Sequence, residues 1–229
     1  MRLLELVGIL VILGVLSFSA LFYYRLNGFN SLLASHNISY AMHRARGMAL
    51  LDSNLMPVST LSVAPLIPSL NAEVLFNTFR PHMWQLQFHL GGIYTENSMS
   101  IYKDTPRNVQ TTHYDMRPMA GDILALDALS AKCLSGYNNT NIAAFCRNNA
   151  KFNYRLKESL GIQNLEVQSN RTCFERESTR FYFDSLGRVY CGARQERVSE
   201  SLVRLANFGV VFEIVLVPET GFNYVRRVP

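Results

Sequence analysis

The sequence predicts an α+β protein: a long N-terminal α-helical spine that carries a globular head with a C-terminal antiparallel sheet. Three observations predict it. Residues 6 to 24 contain no formal charge, a three-to-four apolar spacing continues from there to residue 51, and beyond Gly161 the apolar period shortens to two. A helical segment followed by strands is the order of an α+β chain.

The first 26 residues read MRLLELVGILVILGVLSFSALFYYRL, and the uncharged stretch within them is 19 residues long. As a helix it spans roughly 28 Å, which matches a hydrocarbon core of about 30 Å. Glu5 interrupts the apolar pattern one turn in. A carboxylate in hydrocarbon costs about 2.5–3.5 kcal/mol, so a partner or a function must compensate it. A cleavable signal peptide has a basic start, a shorter apolar core and a small-residue cleavage site, for which Ser17-Phe-Ser19-Ala20 is a weak match. A plain anchor would leave Glu5 near the headgroups at the helix's first turn.

The segment Met1-Arg-Leu-Leu-Glu5-Leu-Val-Gly-Ile-Leu-Val-Ile-Leu-Gly14 resembles the mature N-terminus of type IV pilins and of the pseudopilins of type II secretion. The resemblance implies cleavage by a prepilin peptidase, N-methylation of Met1 as the first mature residue with no leader remaining, and glutamate at the fifth position. It also implies that the Met1 α-amino group, on the same or an adjacent subunit, neutralises Glu5. Removing either charge would strand the other in low dielectric. One departure is the proline frequent near the end of the family's apolar stretch, where Phe22 stands here. Gly8 and Gly14 lack side chains and allow close helix approach or local melting. Such a helix leaves a membrane only for an equally apolar environment, which a bundle of identical helices supplies.

Residues 1 to 25 are therefore assigned to the apolar helix, a membrane anchor before assembly and filament core after it. Residues 26 to 53 are its amphipathic continuation, with Leu26, Phe29, Leu32, Leu33, Tyr40, Ala41, Met48 and Leu51 on the partial apolar spacing. A helix to about Asp52 is on the order of 78 Å long. Gly28 and Gly47 favour a bend or a melted turn, and Asp52-Ser-Asn54 ends the run.

Residues 54 to 229 form the head. Pro57, Pro65 and Pro68 mark an extended surface connector. Residues 72 to 118 look like a large insertion relative to a small pilin head. Within it, residues 74 to 76, 83 to 90 and 98 to 102 read as strands, Gly91-Gly92 as a turn and Ile93-Tyr94 as a strand start. Asp122 reads as the N-cap of a helix over 122 to 134, and residues 142 to 160 as one or two helical pieces ended by Gly161. Strands are predicted at 164 to 168, 172 to 174, 180 to 184, 188 to 191 and 210 to 217. Turns at Asp184-Ser-Leu-Gly187 and Pro218-Glu-Thr-Gly221 join some of them. The stretches Phe181-Tyr-Phe-Asp-Ser-Leu-Gly-Arg-Val-Tyr-Cys191 and Phe212-Glu-Ile-Val-Leu-Val-Pro-Glu-Thr-Gly-Phe222 resemble the last hairpins of pilin-like proteins of the mannose-sensitive haemagglutinin type and of H-type pseudopilins, with Gly187 and Gly221 at the turns.

The four cysteines contain no C-x-x-C and no accompanying histidine pair, so zinc has little support. Beyond a membrane an even count favours disulfides. Three pairings are possible, and Cys133–Cys146 with Cys173–Cys191 closes the shortest loops. The five histidines, His36, His43, His82, His89 and His113, are scattered and read as solvated or packed. No catalytic motif is present, so no enzyme activity, cofactor or metal is expected. The net charge is +5, but residues 171 to 229 carry nine Arg against seven acids, without the concentrated basic face that nucleic-acid binding needs. The tyrosines could present a face for sugars or surfaces.

These readings converge on a structural subunit of a type IV pilus or pilus-like filament. It would sit in a bacterial inner membrane, then in an extracellular pilus made with further pilin subunits by the pilus assembly machinery. The alternative is a minor pilin or pseudopilin, or a membrane-anchored periplasmic binding module for adhesion or for DNA or sugar recognition.

Overall fold

A computed structural model describes residues 3–52, 83–91, 96–105, 117–137, 141–170, 173–175, 177–192, 196–199, 201–207 and 210–228. It opens on one helix, α1 (Leu3–Leu51), 49 residues long and helical throughout, including at Gly28 and Gly47. The expected proline-marked connector and the strand over 74 to 76 lie outside the described residues.

The C-terminal half of α1 follows a different stripe from the one its large apolar residues suggest. Ser31, Ala34, Ser35, Ile38, Ala41, Met42, Ala45 and Ala49 are buried, a three-to-four repeat built mostly of small side chains. Leu26, Phe29, Leu33, Tyr40 and Leu51 point away from the head instead. Small residues let the helix axis lie close to a sheet, and the bulk that fills the space comes from the strands.

Two antiparallel sheets receive it. The larger has six strands in the order β3-β2-β1-β5-β6-β7. These are β1 (Trp84–His89), β2 (Ser98–Lys103), β3 (Ile123–Leu124), β5 (Ser178–Phe183), β6 (Val189–Cys191) and β7 (Glu196–Arg197). The smaller has the order β10-β9-β8-β4, from β4 (Asn164–Ser169), β8 (Ser201–Asn207), β9 (Val210–Val217) and β10 (Phe222–Val228). Helix α1 touches both. Trp84, Leu86, Phe88, Ile101, Phe181 and Phe183 from the larger sheet share one core with Val167, Val203, Leu205, Ile214 and Leu216 from the smaller. Strands β1 and β2, from the region read as an insertion, lie inside the larger sheet, where β1 pairs with β5 over its whole length.

Helical pieces fall where expected between 142 and 160: α2 (Ala144–Asn148), a 3-10 turn (Phe152–Tyr154) and α3 (Leu156–Leu160). Gly161 ends α3 in the left-handed region at φ 68° and returns its N–H to Lys157. The helix expected over 122 to 134 is not formed. Asp122 accepts hydrogen bonds from the Met119 N–H at 2.8 Å and the Thr105 N–H at 3.0 Å, which builds a turn. The following residues pair as β3 with β2, and Leu126 bridges Cys133. The apolar residues of this stretch do not share one face: Ile123, Leu126 and Leu129 are exposed, Leu129 to 99%, while Ala125 and Leu134 are buried. Of the strand expected at 172 to 174, residue 172 lies outside the described residues, and Phe174 forms one bridge, to Thr179. Strand β8, whose alternation Ser-Leu-Val-Arg-Leu-Ala-Asn buries every second residue, was not among the expected strands.

Candidate assembly surface

The surface that sets this molecule apart is the free half of α1. From Val7 to Tyr23 every described side chain is exposed, including Leu10, Val15, Leu16 and Phe22, and Phe18 reaches 72%. The helix is long and apolar enough to cross a membrane. Gly8 and Gly14 lie in this half with open space around them, so a second helix could approach either backbone. Residues 1 and 2 and the Glu5 side chain are outside the described residues, so the pairing of Met1 with Glu5 is not described.

Beyond the apolar half, Arg44 donates to the Leu126 carbonyl at 2.8 Å, and three further groups of contacts fasten the helix to the head. At its end, Asp52 accepts from Trp84 Nε1 of β1 at 3.1 Å and from Lys103 Nζ of β2 at 2.6 Å. Midway, Ser39 Oγ donates to Asn223 Oδ1 of β10 at 2.6 Å, and the His43 ring lies 5.6 Å from that of Phe222. The third joins α1 to both hairpin turns that the sequence singled out. Arg46 Nε donates to the Thr220 carbonyl at 2.5 Å. A Cβ on Gly187 would lie 2.9 Å from that Nε, and one on Gly221 would lie 2.3 Å from the Gly187 carbonyl oxygen. Both glycines have positive φ, 79° and 65°. The two turns therefore stack on each other beneath the helix, and only glycine fits either place.

The Asp-x-x-Gly-Arg sequence has a visible role here. Asp184 accepts from the N–H groups of Leu186 at 2.9 Å and Arg188 at 2.8 Å, closing the turn over Gly187. Its other oxygen takes Arg188 Nε at 2.7 Å, and that hydrogen bond raises the arginine's pKa.

Cys133–Cys146 and Cys173–Cys191 are both disulfides. The first staples a satellite cluster with Tyr137 and Ile142, while the second lies in the main core. Lys151 and Ser130 bind Asp127 beside the first staple, and their hydrogen bonds hold its carboxyl down to about 2.

Sequence reasoning missed a buried polar layer on the far face of the larger sheet. Gln85, Gln87, His89, Ser100, Tyr102 and Arg180 alternate with core residues along their strands, yet all are buried. All but Gln85, whose buried amide has no hydrogen-bond partner among the described residues, bond to one another or to neighbours: Tyr102 donates to Gln87 Oε1 at 2.8 Å, His89 Nε2 meets Ser100 Oγ at 2.9 Å, and Arg180 pairs with Glu175 at 2.6 Å. Burial drives the His89 pKa down to about 3. A polar alternation normally marks a solvated face, so nothing in the strands themselves announces this cover.

The architecture is that of an α+β protein with a long N-terminal helix followed by antiparallel sheets, an arrangement consistent with a pilin-like fold. Comparisons of the chain with protein families, characterised proteins and solved structures find no match.

Proposed function

We propose that this chain is a structural subunit of a type IV pilus or pilus-like filament and not an enzyme. The observation that carries the reading is the division of α1: its first half stands apolar and uncovered, while its second half is fastened to both sheets. An apolar rod of that size is stable in water only when lipid or other apolar helices surround it. Lipid serves before assembly, in the inner membrane of a bacterium. Copies of the same helix serve afterwards, in an extracellular filament, with Glu5 neutralised by the Met1 α-amino group. Processing by a prepilin peptidase and extraction by an assembly machinery belong to this reading.

The test is Glu5→Ala in the full chain. Filament yield is expected to fall severely while the head keeps its disulfides and its thermal transition; an unchanged yield counts against the proposal. A second reading, a minor subunit or a membrane-anchored periplasmic binding module, is favoured by one feature. A groove of about 610 Å³ opens beside β4, β8 and β9, lined by Gln168, Asn170, Ser199, Leu202, Val215 and Arg226 among others. Amide, hydroxyl and guanidinium groups over an apolar floor suit a small polar ligand such as a sugar. A tethered module would tolerate Glu5→Ala, so the same experiment separates the two.

A further inference from the structure

The smaller sheet ends in β4 on one side and β10 on the other, and its four strands alternate in direction. An even number of alternating strands has a consequence for assembly. If a second copy is placed one sheet-width away, its β10 runs antiparallel to this copy's β4, the direction in which edge strands pair well.

The side chains on the outer face favour that neighbour. Glu166 of β4 stands opposite Arg204 of β8, Arg204 opposite Glu213 of β9, and Glu213 opposite Arg226 of β10. The row reads acid, base, acid, base from edge to edge. Glu213 is 6% exposed and pairs with Arg204 at 3.1 Å and Arg226 at 2.8 Å. Glu166, on the edge strand of this sheet among the described residues, is exposed and forms no ion pair there; its carboxylate takes only an amide N–H from Gln168 at 2.9 Å.

We propose that a second copy of this chain docks edge to edge, its β10 against β4, with its Arg226 opposite Glu166. The row of alternating charges then continues unbroken from copy to copy. The same register sets Tyr224 of one copy opposite Gln168 of the next. Two-fold alternatives centred on this row oppose like charges, Glu166 on Glu166 or Arg226 on Arg226, which antiparallel pairs disfavour. Because the contact uses two different edges, it does not close at a dimer and repeats along a filament. The inference deepens the filament reading and rests on it.

The test introduces Gln168→Cys and Tyr224→Cys together in the full-length chain, expressed in the native host, and reads covalent multimers on non-reducing gels after mild oxidation. The four native cysteines are held in disulfides, so the new thiols report the contact. The double variant is expected to give a ladder of dimers, trimers and higher forms, while each single variant stays monomeric. Adding Glu166→Lys to the double variant is expected to cut the ladder about fivefold, by opposing two cations across the new strand pair. Normal filaments without a ladder overturn the edge contact and leave the filament reading standing. Covalent dimers from a single variant overturn it in favour of a two-fold edge. A ladder from membranes that yield no filaments supports the contact and sinks the filament reading.

Discussion

At the scale of single residues, the most exacting position is Gly221. Its φ is 65°, and a Cβ there would lie 2.3 Å from the Gly187 carbonyl oxygen, a backbone atom that can move only if the Asp184 turn moves. Left-handed backbone alone costs a side-chain-bearing residue about 1–2 kcal/mol, and the collision adds to it. Gly221→Ala is expected to destabilise the head by about 2 kcal/mol or more, measured by denaturant unfolding, whereas Gly8→Ala, in open space, leaves head stability unchanged. His89 gives a pH-dependent case. Its folded pKa of about 3 lies below the ordinary 6.5, so between those values the unfolded chain binds a proton that the folded chain refuses. The resulting stability is fully present above pH 6.5 and is lost as pH falls towards 3, with a slope of at most about 1.4 kcal/mol per pH unit. His89→Gln, which keeps a partner for Ser100, is expected to flatten the fall of melting temperature between pH 6.5 and 4. An unaltered slope would place the acid sensitivity in other groups.

At the scale of elements, α1 has two faces that answer to different partners, and substitution separates them. Ala45 is fully buried against the head. A larger side chain there overpacks the seam, so Ala45→Leu is expected to cost about 1–3 kcal/mol of head stability. Phe29, on the opposite face, is 60% exposed, and Phe29→Ser is expected to change head stability by less than about 0.5 kcal/mol. If the filament proposal holds, Phe29→Ser lowers filament yield. Thermal unfolding and filament recovery, measured on both variants, decide whether the outer face has an assembly role. This division also explains what the sequence could and could not disclose. The helix and its length were legible, because uncharged and apolar residues persist over many turns. Which face packs was not, because alanines and serines form the seam while the conspicuous Leu and Phe residues face outward. The hairpins around Gly187 and Gly221 were legible from turn chemistry, but the meeting of the two turns under Arg46 was not, since no local signal encodes a contact between residues 46 and 220. Gly121-Asp122 looked like a helix start because an aspartate that closes a turn has the same local signature as an N-cap. The burial of Gln87 and Arg180 depends on cover from elsewhere in the chain, which alternation within a strand cannot report.

At the scale of the whole molecule, the two disulfides are not equivalent staples. Cys191 lies on β6 of the larger sheet, and Cys173 lies in the segment that runs from β4 of the smaller sheet to β5 of the larger, so this bond sits where the chain passes between the two sheets that α1 touches. Cys133–Cys146 closes a shorter loop within a satellite cluster that joins the larger sheet through β2. Loop entropy alone barely distinguishes them: separations of 13 and 18 residues each correspond to about 3 kcal/mol. Position in the fold does distinguish them. Loss of Cys133–Cys146 by paired serine substitution is expected to loosen residues 117 to 151 first, seen as faster amide exchange there, while the exchange of β5, β8 and β9 changes little. Loss of Cys173–Cys191 removes a link inside the core that the two sheets share, and because α1 is fastened to both, exchange is expected to quicken across the core and along the Ala34 to Ala49 stripe together. Equal and uniform acceleration in both variants would mean that the satellite and the core unfold as one unit.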